Sequence, residues 1–141
     1  MALLGQTRIM TGHRVEVERV YDEVREHPEG GGDGRGGARF LVDRLWPRGV
    51  RRSALEGVAW LKEAAPSKEL RTWFDHDASR FAEFAERYRA ELRERPEVLE
   101  PVLDAARRGT VTLLYAARDT EHNHALVLRD HVADLLADGS N

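Results

Sequence analysis

The chain contains no cysteine. That absence excludes disulfide staples, thiolate nucleophiles, thiol-relay chemistry and zinc sites built on cysteine. Long apolar runs are missing too, and none approaches the roughly 18 residues that a membrane helix needs. The short patch Ala2-Leu3-Leu4 has neither a basic flank before it nor a long apolar stretch, so it does not read as a signal peptide. A cytoplasmic protein without a membrane partner is expected. Positive charge is also short: the formal net charge is −3, which gives no electrostatic reason to expect a nucleic-acid or membrane binder. Lysine is nearly absent, with 2 Lys against 20 Arg. Codon bias accounts for a global excess of this kind, so only clustered arginines carry weight as anion ligands.

What is present reads as one domain. The 141 residues, 41% of them apolar and 33% charged, suffice for a real core under a well-charged surface. Residues 1–13 read as a loosely ordered tail, 14–137 as a single α/β domain and 138–141 as a frayed end. Val15 to Tyr21 alternates apolar and charged residues, the period of a half-exposed strand. Residues 28–37, Pro-Glu-Gly-Gly-Gly-Asp-Gly-Arg-Gly-Gly, precede a strand and lack the Gly-Lys-Ser/Thr of a P-loop, so they read as a linker.

Arg39 to Trp46 has the apolar density of a central strand, with Asp43 and Arg44 inside it. A buried unpaired charge costs several kcal/mol, so each must find a partner or line a polar cavity. Arg48, Arg51 and Arg52 follow as an anion clamp or a solvated basic turn. Ser53 would cap a short helix through Leu55, Val58 and Leu61, and Ser67 a second one carrying Leu70, Trp73 and Phe74. His76, between Asp75 and Asp77, reads as a helix-end histidine, an acid/base or a ligand. Phe81, Phe84, Ala85, Tyr88 and Leu92 fall at helical spacing with charges of both signs outside. Another helix, carrying Val98 to Ala106 with Pro101 in its first turn, ends at Arg107-Arg108-Gly109.

Val111 to Ala117 is a second buried strand. After it, Asp119 or Thr120 would cap a final helix with His122 and His124 in its first turn. A long helical crossover between buried strands makes them parallel, and ligands in open α/β sheets sit at the C-terminal strand ends. Asp43, Arg44, Trp46 and Arg48 would then share an edge with Arg118, Asp119, His122, Asn123 and His124. Three chemistries fit that edge. An Asp119–His124 pair could move a proton. Arg44, Arg48 and Arg118 could hold an anion, with Asp43, Trp46, His122, Asn123 and His76 as further ligand contacts. No cofactor is expected; a divalent metal on His122, His124 and Asp119 would need His122 in the loop, since two residues on a helix diverge by about 200°. The bland reading is that Asp119 caps the helix and one histidine packs on the sheet.

At these residues the chain resembles the YeaO-like family of small bacterial proteins, a domain of unknown function. The resemblance spans Val15 to Leu136. It rests on Val-Tyr-Asp (20–22), Val-Asp-Arg-Leu-Trp-Pro-Arg-Gly (42–49), Trp-Leu-Lys (60–62), Ala-Pro-Ser (65–67), Glu-Leu-Arg (69–71), Trp-Phe (73–74) and His-Asp (76–77). Leu-Leu-Tyr-Ala-Ala-Arg-Asp (113–119) and Glu-His-Asn-His-Ala (121–125) complete it. A related branch of the wider superfamily carries Cys-His-Arg where this chain has Asn123-His124-Ala125. The resemblance therefore implies that no thiol mechanism transfers here and that His124 is the histidine of interest.

The expectation is a small Rossmann-like three-layer α/β domain with a short, mainly parallel sheet and a helical crossover. Its site would take a small anionic ligand, phosphorylated or nucleotide-like, with hydrolase or transferase activity as an extension. A non-catalytic ligand-sensing or protein-interaction module is the competing class, and the acidic total argues against nucleic acid.

Overall fold

Val111, Leu113 and Tyr115 face one side of a strand and Leu114 the other, and all four are buried. A strand apolar on both faces must be covered on both faces, which puts it inside a parallel sheet with helices either side. The computed structural model describes residues 15–26 and 37–139. Its strands are β1 (Val15–Arg19), β2 (Ala38–Leu41), β3 (Ala59–Trp60) and β4 (Val111–Tyr115). They form one sheet in the order β1-β4-β2-β3, every neighbouring pair parallel. The register sets Val17 against Leu113, Phe40 against Leu113 and Leu41 against Leu114. The helices are α1 (Val20–Glu26), α2 (Lys68–Phe74), α3 (Phe81–Glu94), α4 (Glu100–Arg108) and α5 (His124–Gly139).

One face of the sheet carries the main core, where Phe40, Leu113 and Tyr115 meet Phe84, Tyr88, Val102 and Leu128. Leu41 and Leu114 turn to the other face, against Val20 and Leu55. Both leucines are fully buried, which is worth about 1.5–3 kcal/mol each. The architecture is the expected small Rossmann-like α/β domain, and its sheet is wholly rather than mainly parallel. Among the described residues no helix is long and apolar enough to cross a membrane.

Several local expectations are corrected. The first strand stops at Arg19, because Val20, Glu23 and Val24 repeat at helical spacing and bury one side of α1. β2 stops at Leu41, so Asp43 and Arg44 lie beyond the strand end and not inside it. The helix expected after Ser53 is a single 3-10 turn, Arg52–Leu55; Gly57, at φ +88°, turns the chain out, and Ala59–Trp60 joins β2 as an edge strand. Ser67 does cap its helix, its hydroxyl accepting from the Leu70 N–H at 3.1 Å, and Glu91 of α3 accepts in turn from Ser67. The last helix runs to Gly139. The tail 1–13, nearly all of the glycine-rich loop (28–36) and residues 140–141 lie outside the described residues.

Candidate functional site

Four parallel strands open their C-terminal ends on one edge, and the connections leaving β2 and β4 depart in opposite directions. β2 leads to β3, while β4 leads to α5, which packs against β1. A crevice forms where such connections diverge. Here it is a cleft of about 690 Å³, the size range of small-molecule sites. The segment after β2 supplies Asp43, Arg44, Leu45, Trp46, Pro47 and Arg48, and the segment after β4 supplies Ala116, Ala117, His122, Asn123 and His124. The opposite wall comes from α2 and its flanks, with Pro66, Arg71, Phe74, Asp75 and His76, and Phe84 of α3 forms part of the floor.

Asp43 is held at both ends. Its carbonyl accepts from the Trp60 indole at 2.8 Å, and its Oδ2 accepts from the Ala116 N–H at 3.0 Å. Its Oδ1 lies 3.0 Å from Nε2 of His124, the two side chains each 16% exposed. The same Nε2 is 3.0 Å from the Val42 carbonyl. The carboxylate–imidazole pair at the centre of the cleft is therefore Asp43 with His124. Tyr88 stands edge-on to the His124 ring, its own hydroxyl donating to the Ala64 carbonyl. Burial holds the Tyr88 phenol well above its ordinary pKa, with Glu91 and Asp43 adding to the effect.

Asp119 serves elsewhere. It accepts from the N–H groups of Glu121 (2.8 Å) and His122 (3.0 Å), and it contacts Nδ1 of His122 at 3.0 Å. Those bonds, the Glu121 N–H first, hold its carboxyl below the usual range. Neither Asp119 nor Arg118 lines the cleft, so Asp119 organises the turn before α5 and partners His122, not His124. The cap of α5 is Asn123, whose Oδ1 accepts from the Leu126 N–H at 3.1 Å. His122 sits in that turn, edge-on to Phe81. Among the described residues no three His, Asp or Glu side chains gather as a metal site, the His122–His124–Asp119 set included.

The arginines separate by role. Arg52 stacks over Trp46 at 4.3 Å and Trp60 at 5.5 Å, bracing the loop, and Arg51 is exposed outside the cleft. Of the expected clamp only Arg48 lines the cavity; the Tyr21 hydroxyl fixes its backbone carbonyl at 2.9 Å. Arg44 and Arg71 both line the cleft, and in both the Nε is buried without a hydrogen-bond partner. Neither guanidinium has an ion-pair partner among the described residues, and their terminal nitrogens are open to solvent. Three arginines face two aspartates, one of them already engaged, so the cleft is locally cationic on an acidic chain. Arg71 escapes sequence reasoning because it sits in an ordinary amphipathic helix. The available signal is that Glu-Leu-Arg is among the words carrying the family resemblance. Asp75 and His76 form the rim in consecutive left-handed conformations, φ 48° and 55°, a strained backbone of the kind that collects at functional sites.

Residues 14–141 match the family described as "Inactive DUF488-N3 subclade". The chain is a YeaO-like member of the DUF488 family. The uncharacterised protein YeaO of Escherichia coli K12 is 40% identical over 121 residues, covering 86% of this chain and 98% of its own length. The uncharacterised proteins Mb3100c of Mycobacterium bovis and Rv3073c of Mycobacterium tuberculosis H37Rv are each 41% identical over 115 residues, covering 82% of this chain and 90% of their own. No solved structure matches the chain. In this DUF488 protein the residues that line the cleft fall largely within the words on which the resemblance to the YeaO-like family rests: Tyr21, Asp43 to Arg48, Ala65, Pro66, Arg71, Phe74, His76 and His122 to His124.

Proposed function

We propose that this protein binds a small anionic ligand, phosphorylated in chemistry, at the C-terminal ends of β2 and β4, and acts as a binding module. The observation that carries the reading is the pair Arg44 and Arg71: two guanidiniums in one cleft, each with a buried Nε and no ion-pair partner among the described residues. Desolvating a cation without a partner is expensive, and an arriving anion offsets that cost with charge-assisted hydrogen bonds. Arg48 and His76 at the rim would complete the cradle. The subclade's description as inactive favours binding over turnover. The hydrolase or transferase reading keeps one support, the Asp43–His124 pair.

The test is a calorimetric titration of the protein with inorganic phosphate and pyrophosphate. Arg44→Gln and Arg71→Gln are each expected to weaken binding at least about tenfold, or ~1.4 kcal/mol. Absence of binding to the unmodified protein at millimolar anion, or affinity untouched by both substitutions, would sink the proposal. Release of phosphate from a phosphate monoester that disappears in His124→Phe would instead establish catalysis.

A further inference from the structure

His124 presents two nitrogens with different duties. Nε2 is 3.0 Å from the Val42 carbonyl and 3.0 Å from Oδ1 of Asp43. The Val42 carbonyl can only accept, so that hydrogen bond puts the proton on Nε2, and in the neutral ring Nδ1 is left as a bare lone pair. Nδ1 has no partner among the described residues and is not sealed from solvent, while the ring lines the cleft. Asp43 is closed to a ligand: its Oδ2 accepts from the Ala116 N–H, and its Oδ1 is buried against Nε2 of His124 with no hydrogen-bond partner among the described residues. The cleft thus combines two cationic forks, Arg44 and Arg71, without ion-pair partners among the described residues, with one imidazole nitrogen that the Nε2–H tautomer leaves as an acceptor. A bare anion would satisfy the forks and face a lone pair with a lone pair.

We infer that the ligand is an organic phosphate bearing a free hydroxyl, with the phosphate on Arg44 and Arg71 and the hydroxyl donating to Nδ1 of His124. This rests on the anion-binding reading above and adds the second contact that decides among anions. His124 is the specificity-determining residue, and Asp43 is a positioning residue that acts through it.

Glycerol 3-phosphate and methyl phosphate share the anionic group and differ in the hydroxyls. In calorimetric titrations the unmodified protein is expected to bind glycerol 3-phosphate at least about tenfold tighter than methyl phosphate. His124→Phe keeps the ring and should bring that ratio close to one while methyl phosphate affinity stays put. Arg51→Gln, at an exposed residue outside the cleft, should leave the ratio alone. A ratio near one in the unmodified protein, or a ratio retained in His124→Phe, overturns the inference. If phosphate esters and inorganic phosphate all fail to bind, the anion reading falls and this inference falls with it; phosphate binding without discrimination removes this inference alone. A readout that needs no substitution is the imidazole 15N spectrum. It should show a protonated Nε2 and an unprotonated Nδ1 that shifts on adding glycerol 3-phosphate, and an Nδ1–H tautomer would contradict it.

Discussion

Asn123 is 2% exposed and uses both ends of its amide, Nδ2 donating to the Asp119 carbonyl at 2.9 Å and Oδ1 accepting from the Leu126 N–H at 3.1 Å. It fixes where α5 begins, and therefore where His124 points. Asn123→Ala removes a helix cap, leaving the Leu126 N–H only its longer bond to the residue-123 carbonyl at 3.3 Å, a loss expected at about 1–2 kcal/mol. Urea denaturation measures it, and a change under about 0.5 kcal/mol would mean that the helix start is held by other contacts. At this scale the sequence is half legible. The pairing of a carboxylate with an imidazole is foreseeable from the residue types. Which carboxylate is not: Asp119 is five residues from His124 and Asp43 is eighty-one, and only the parallel alignment of β2 with β4 brings the distant one within 3.0 Å. Asp119 loses because its Oδ1 accepts from the N–H groups of its own turn and its Oδ2 is engaged by Nδ1 of His122.

Among the elements, α2 bears most on the cleft. Its seven residues carry Arg71 and Phe74 to the wall, and its end is set by Asp75, left-handed at φ 48° with its N–H donating to the Arg71 carbonyl at 3.0 Å. Glycine is the residue that such a position favours. Asp75→Gly should therefore stabilise the protein by roughly 0.5–1 kcal/mol, the relieved strain exceeding the added chain entropy. Destabilisation in a denaturant titration would show that the Asp75 side chain earns its place by a contact stronger than the strain. Ser67, Pro96 and Gly109 mark their helix ends in the sequence as in the structure, because caps and breakers act through their own backbone. β3 was hidden, since two residues have no period and Ala59–Trp60 is a strand only by virtue of lying beside Phe40 and Leu41.

Across the whole molecule, His131 is an ionisable weak point of the buried interior. It lies on α5, is 5% exposed and has no partner for Nδ1 among the described residues; Arg89 and Arg93 of α3 face it, with Asp134 on its own helix. Burial first, and then the two arginines, lower its pKa below the usual 6.5. A folded-state pKa below the unfolded one means that the unfolded chain binds the proton more readily. Stability is then fully present above pH 6.5 and declines as pH falls from 6.5 toward the folded pKa. His131→Leu should flatten that decline, seen as a smaller drop in Tm between pH 7.5 and pH 5; equal slopes in the two proteins would exclude His131 as the source. What the sequence determined by itself is what local physics controls: the apolar density of β4, the helical period of α3, the caps, the exclusion of thiol chemistry and the strand-end edge where a site would lie. The tertiary structure alone decided which side chains meet there. Arg71 joins Arg44, and Asp43 joins His124, through contacts between segments far apart in the chain, and no pattern within a segment records them.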